Sequence, residues 1–354
     1  MGDEMINRKQ TKQIMVGNIP VGGDAPITVQ SMTNTKTKDV ESTVKQILAL
    51  EDAGCDIIRF AVNDREDAEA ILKIKKSIHI PIVVDIQFDH KLAIMSAEGG
   101  ADCIRINPGN IGNKNKVKEV VEACKYHGLP IRIGVNSGSI HQDLLDELGG
   151  VNAKSIVQSA IREIETLEDL NFFDIKVSLK ASNVNLSIDS YKEFSKISDY
   201  PLHLGITEAG PAFQGAIKSA LGIGYLLREG IGDTIRVSLT SDPIEEIRVG
   251  REILKSLDIL TDGIDIVSCP TCARTNIDLL KLVEEAEKRI SPLKNNLKVA
   301  LMGCAVNGPG EAREADIGIA GGHGEAILFK KGKIIKKIPE DNLLDELVKE
   351  IENM

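Results

Sequence analysis

With 354 residues, 42% of them hydrophobic, the chain can bury one large core and a second, smaller one. Its net charge of −10 excludes a general nucleic-acid binder, which needs a basic face, and no apolar run has signal-peptide or membrane-spanning length. Six unevenly spaced cysteines do not form a disulfide framework, so a cytoplasmic protein with reduced thiols is expected.

In chain order, KQIMVGNIPVGG (residues 12–23) reads as a hairpin suited to plug a barrel floor. Eight β-branched runs follow: PITVQSM, CDIIRFAV, PIVVDI, ADCIRIN, PIRIGVN, FDIKVSL, PLHLGIT and DTIRVSL. Between them lie amphipathic helical patterns such as residues 39–53, where Val40, Val44, Ile47 and Leu48 form one stripe. Eight consecutive β/α units predict a TIM barrel over residues 1–257.

Parallel strands covered on both faces should be nearly continuous apolar runs. These instead alternate, with Arg59, Asp85, Arg105, Asn107, Arg132, Asn136, Lys176, Ser178, Lys180, His203, Thr207, Glu208, Arg236 and Ser238 at polar positions. The apolar alternates can face the helices, which turns the polar set into the barrel. The cations Arg59, Arg105, Arg132, Lys176, Lys180 and Arg236 outnumber the carboxylates Asp85 and Glu208. Unpaired buried charge is costly, so a small, highly anionic ligand such as a diphosphate is the expected balance. Glu208, at a strand's C-terminal end, is the preferred proton donor, with His203 as a further candidate.

After the linker DILTDG (258–263) the pattern changes. GIDIVS, LKVALMG, ADIGIAG, EAILFKKG and KIIKKIP read as strands, and residues 277–290 and 341–350 as helices. Residues 264–354 therefore form a small α+β domain. It carries CPTCARTN, with Cys269 and Cys272, and GCAVNGPGEA, with Cys304 and Glu311. A C-x-x-C between strand and helix also suits a redox dithiol, but a third thiol on a second loop suits a metal site. Cys55, Cys103 and Cys124 lie in barrel strands or a helix, and Glu311 is the candidate fourth ligand. Zinc and a 4Fe–4S cluster both accept this set.

Seven segments, in order, resemble the bacterial 4-hydroxy-3-methylbut-2-enyl diphosphate synthase family: PITVQSMTNTKTKD, CIRINPGNIG, PIRIGVNSGS, HLGITEAG, GIGDTIRVSLT, CPTCARTN and GCAVNGPGEA. The resemblance implies a barrel followed by a ferredoxin-like iron–sulfur domain. It also implies a 4Fe–4S cluster on Cys269, Cys272, Cys304 and Glu311, and flavodoxin or ferredoxin as electron donor. The implied reaction is reductive ring opening and dehydration of 2-C-methyl-D-erythritol 2,4-cyclodiphosphate in a head-to-tail homodimer. By motif position Arg59, Arg105, Asn107, Arg132, Asn136, Lys176, Arg236 and Ser238 match the diphosphate-binding set. Asp85 and Glu208 match polar residues near the reacting carbons. One departure is Gln87, where the family pattern usually has histidine. The competing classes are a zinc-stabilised barrel acting on a sugar phosphate without redox, and a non-catalytic electron carrier or sensor.

Overall fold

The computed structural model describes residues 6–290, 293, 295–305 and 312–354, so Glu311 lies outside the described residues. Two compact units divide the chain, Met1–Ile259 and Leu260–Met354.

The first unit opens with an antiparallel hairpin of β1 (Ile14–Val16) and β2 (Ile19–Val21). The barrel then runs β3 (Thr28–Met32), α1 (Val40–Asp52), β4 (Ile57–Ala61), α2 (Arg65–Lys75), β5 (Ile82–Asp85), α3 (His90–Glu98) and β6 (Cys103–Ile106). It continues with α4 (Pro108–Ile111), α5 (Lys114–His127), β7 (Ile131–Asn136), α6 (Gln142–Leu148), α7 (Ala153–Glu168), β8 (Ile175–Lys180) and α8 (Val184–Ile197). It ends with β9 (His203–Leu204), α9 (Ala212–Arg228), β10 (Thr234–Ile235) and α10 (Pro243–Ser256). The strands pair in parallel in the order β8-β7-β6-β5-β4-β3-β10-β9, and a parallel bridge from Val177 to Leu202 closes the ring. Local chemistry starts the helices where this topology needs them. Asp39, Asp64, Asp89, Asn113, Asn152, Asn183 and Asp242 each cap a helix by accepting a first-turn backbone N–H.

The hairpin reveals which side chains point inward. Ile14, Val16 and Val21 form one buried cluster with Ile57, Val83 and Cys103, so those strand residues face the axis over the plugged floor. Side chains alternate along a strand, so Arg59, Asp85 and Arg105, two residues further on, face the same way. Their apolar neighbours Ile58, Val84, Ile104 and Ile106 turn outward and are fully buried. The expected polar lumen over an apolar floor is what the barrel has.

In the second unit β11 (Ile264–Ser268), β12 (Leu297–Met302) and β13 (Ile317–Gly321) are parallel neighbours. β14 (Glu325–Lys330) and β15 (Lys333–Pro339) extend the sheet antiparallel, giving a mixed sheet in sequential order. α11 (Leu279–Ile290) and a final helix, Leu343–Glu352, cover one face: Leu282, Ala286, Leu347 and Ile351 are buried with Val299, Leu301, Ile317 and Ile319. No helix among the described residues is long and apolar enough to cross a membrane.

Candidate active site

The inward residues on the C-terminal side of the strands line a polar pocket: Arg59, Arg105, Arg132, Lys180 and Arg236, with Asn136, Ser178, Thr207 and Ser238. They come from six strands or the turns just after them, which is where barrel enzymes build their sites. Two glycines make the crowding possible. A Cβ on Gly134 would lie 2.6 Å from the Arg105 guanidinium, and one on Gly205 would lie 2.7 Å from Lys180 Nζ. Both glycines occupy inward alternates, so the backbone itself forms part of the pocket wall.

Charge in the pocket is partly balanced. Asp85 bridges two guanidinium groups, with Oδ2 3.2 Å from Arg59 Nη2 and Oδ1 3.0 Å from Arg105 Nη1. Glu246, on the first turn of α10, lies 3.6 Å from Arg236 Nη2 and accepts the Leu239 N–H and the Ser31 hydroxyl. Arg132 is 1% exposed, and its hydrogen-bond partner among the described residues is Gln30 Oε1, at 3.5 Å. Lys176 and Lys180 meet no carboxylate among the described residues, and Lys176 Nζ has no hydrogen-bond partner among them.

The protonation equilibria register this imbalance. Burial pushes Lys180 well below its ordinary value, and Arg236, Arg132, Arg59 and Arg105 push it further. Burial, followed by Arg105, lowers Arg132 to about 10. Burial lowers Lys176 to about 8, against an upward push from the neighbouring Cys103. Burial would raise the Asp85 carboxyl, but Arg59, Arg105 and Arg132 together hold it below the ordinary range. Asp85 therefore stays ionised. A multiply charged anion is the group that would relieve the remaining cations.

Not every expected residue meets the pocket. Glu208 is exposed, with φ +52°, in the turn after β9, so it is presented at the mouth and does not join the cation network. The second carboxylate that does, beside Asp85, is Glu246. His203 is fully buried as the first residue of β9, with Nδ1 2.9 Å from Thr234 Oγ1. Burial and then Arg132, Lys180 and Lys176 hold its pKa far below 6.5, so it is neutral on the floor side. Lys176 also lies low, beside Cys103 and Arg132. Asn107 is buried and its Oδ1 caps α4 through the Gly109 N–H at 3.1 Å. Gln87 is exposed beyond β5. Glu246 was missed because it comes from a helix rather than a strand. Its available signal was DPIEE, a proline-started helix whose first turn abuts a strand end.

In the second unit the thiols lie on two loops. Cys269 directly follows β11 and Cys304 follows β12 by two residues, and these strands are paired neighbours. The loops are stitched together: Cys269 N–H donates to Leu301 O, Asn276 N–H to Gly303 O, and Gly303 N–H to Cys269 Sγ at 3.2 Å. Cys272 is exposed, and the Arg274 N–H, with its guanidinium, lowers the thiol below its ordinary value. An amide N–H aimed at one sulfur and a thiol poised toward thiolate fit metal or cluster ligation. Among the described residues the thiols do not form a closed three-ligand group.

The GcpE TIM-barrel domain model matches residues 11–251, and the GcpE protein C-terminal domain model matches residues 265–353. The chain is 60% identical over 347 residues to the 4-hydroxy-3-methylbut-2-en-1-yl diphosphate synthase (flavodoxin) of Caldanaerobacter subterraneus subsp. tengcongensis, covering 98% of each. It is 58% identical to the protein of the same name from Clostridium perfringens, covering 99% of this chain and 100% of that one. Among solved structures, the barrel resembles the dihydropteroate synthase of Stenotrophomonas maltophilia, with a TM-score of 0.53 and 14% identity over 70% of this chain and 97% of that one. The type I 3-dehydroquinate dehydratase of Clostridium difficile gives a TM-score of 0.52 and 17% identity, over 70% and 98%. These last likenesses concern the fold alone. The chain belongs to the GcpE family of 4-hydroxy-3-methylbut-2-en-1-yl diphosphate synthases.

Proposed function

We propose that the chain converts 2-C-methyl-D-erythritol 2,4-cyclodiphosphate to (E)-4-hydroxy-3-methylbut-2-enyl diphosphate, with two electrons from flavodoxin or ferredoxin. The observation that carries this reading is a buried pocket in which five cations meet two carboxylates. Arg132 and Lys180, which lack carboxylate partners among the described residues, take the diphosphate oxygens. Arg59 and Arg105 are held in register by Asp85, and Arg236 by Glu246, so their donors are aimed before the substrate arrives. Asp85, kept ionised, orients these donors and gives up no proton. Glu208, at the mouth, delivers the proton that departing water requires.

A 4Fe–4S cluster is assigned to Cys269, Cys272, Cys304 and Glu311; when bound it supplies the electrons and a Lewis acid. The reaction belongs in the cytoplasm, where thiols stay reduced. Anaerobically purified protein should be brown, contain iron and sulfide, and turn over the cyclodiphosphate with a chemical reductant. A colourless zinc protein without turnover would overturn the assignment.

The working unit is a head-to-tail twofold pair in which each barrel is served by its partner's cluster unit. α10 runs about 21 Å back from the active face, at 1.5 Å per residue. The connector 258–263 spans at most about 20 Å when fully extended. Phe213, Ile217, Leu221 and Tyr225, four apart on α9, are 78%, 45%, 60% and 44% exposed, and give such a pair an apolar face to bury. Mixing equal amounts of an Arg105→Met/Lys176→Met variant and a Cys304→Ser variant should restore about a quarter of wild-type activity, because half the re-paired dimers hold one intact composite site. Subunit exchange without recovery would mean that each chain serves its own barrel.

A further inference from the structure

We infer that Glu163 and His141 are positioning residues for the diphosphate site, locking together the two loops that leave β6 and β7. The inference rests on the diphosphate reading of the barrel pocket. Glu163 lies on α7, 3% exposed. Its Oε2 accepts the Gly109 N–H at 2.9 Å, and its Oε1 is 3.2 Å from His141 Nε2. Gly109 lies in α4, the short turn of helix leaving β6, His141 in the loop leaving β7, and the carboxylate between them comes from α7. One buried group therefore ties three successive pieces of the barrel's active face.

The fit leaves no slack. A Cβ at position 109 would lie 2.7 Å from both Glu163 Oε1 and His141 Nε2, so the backbone passes flush against the pair. The same Gly109 N–H is shared with Asn107 Oδ1 at 3.1 Å. That N–H can only donate, so it fixes the Asn107 amide with its oxygen toward Gly109 and its NH2 at the opposite end. An NH2 is the end an anion needs. Five residues before His141, Asn136 lines the pocket beside Arg105 and Arg132. Burial raises the Glu163 carboxyl, against the hydrogen bonds from His141 and Gly109, so the site holds a carboxylate that solvent would hold more cheaply. A cap that served only to start α4, a helix of four residues, is already supplied by Asn107. What Glu163 adds is the link from that loop to His141.

Neither residue lines the pocket, so their effect is on ligand affinity through the loops. With anaerobically prepared full-length holoprotein, Glu163→Ala should raise both KM for the cyclodiphosphate and Kd for inorganic pyrophosphate about tenfold, with kcat changed less than threefold. Glu163→Gln keeps one acceptor for Gly109 and should recover most of the affinity. His141→Phe, at a side chain 38% exposed and so tolerant of change, should shift the same two constants in the same direction even if Glu163→Ala fails to fold. Lower melting temperatures with unchanged KM and Kd in His141→Phe, and in Glu163→Ala where it folds, would reduce the pair to a structural brace and overturn the inference. Arg132→Met is the control. If it too leaves pyrophosphate binding unchanged, the diphosphate reading fails and takes this inference with it; if it alone weakens binding, only the positioning role fails.

Discussion

Arg132→Met should weaken binding of the cyclodiphosphate by about 3 kcal/mol, roughly 150-fold in Kd, without lowering the melting temperature. The guanidinium is 1% exposed, yet among the described residues its hydrogen-bond partner is Gln30 Oε1 at the long distance of 3.5 Å. Burial and Arg105 depress its pKa to about 10, so the folded protein holds this charge at a cost. A residue retained for stability would be better paired. Truncation removes that cost from the free protein and removes two charge-assisted hydrogen bonds from the complex. Isothermal titration with pyrophosphate and a thermal melt separate the possibilities. Unchanged affinity with a fall in melting temperature would assign Arg132 to the internal network that fixes Arg59 and Arg105 through Asp85.

Lys176→Met should stabilise the ligand-free protein at pH 7 by an amount on the order of 3 kcal/mol. Its ammonium is fully buried, without a hydrogen-bond partner among the described residues, and its pKa falls to about 8 from an ordinary 10.5. The unfolded chain therefore binds a proton that the folded one lacks between about pH 8 and 10.5. Below that window both states are charged and the penalty is complete. Through it, wild-type stability gains as pH rises, because the unfolded state holds the extra proton. The gap between variant and wild type should consequently be largest near pH 7 and close toward pH 10.5. Urea melts at three pH values measure it. A gap that does not shrink with pH would show that the buried ammonium is not its source. Lys176 lies below the pocket, so pyrophosphate affinity should fall less than in Arg132→Met.

The period-two alternation in eight short runs was enough to read a barrel with a polar lumen, because strand geometry turns neighbouring side chains to opposite faces. The floor was legible too. In KQIMVGNIPVGG the apolar Ile14, Val16 and Val21 had to find cover, and Ile57, Val83 and Cys103 provide it. Thiol spacing marked Cys269, Cys272 and Cys304 as candidates for one site, and β11 and β12 are paired neighbours that carry Cys269 and Cys304 just past their ends.

Which charges are satisfied was not legible, because pairing depends on ring closure and on helices packed behind the strands. Glu246 reaches Arg236 from α10, whereas Glu208, nearer in sequence to the strand pattern, turns outward in a left-handed bend. Gly134 and Gly205 matter only once Arg105 and Lys180 cross over them from other strands. The same holds for Glu163, His141 and Gly109, which no local periodicity relates. In the small unit, β11–β12 pairing is what aims the Gly303 N–H at the Cys269 sulfur. Local alternation follows from backbone geometry within a few residues, while partners for buried charge are chosen among side chains that only the closed barrel and the paired sheet bring within a few ångströms.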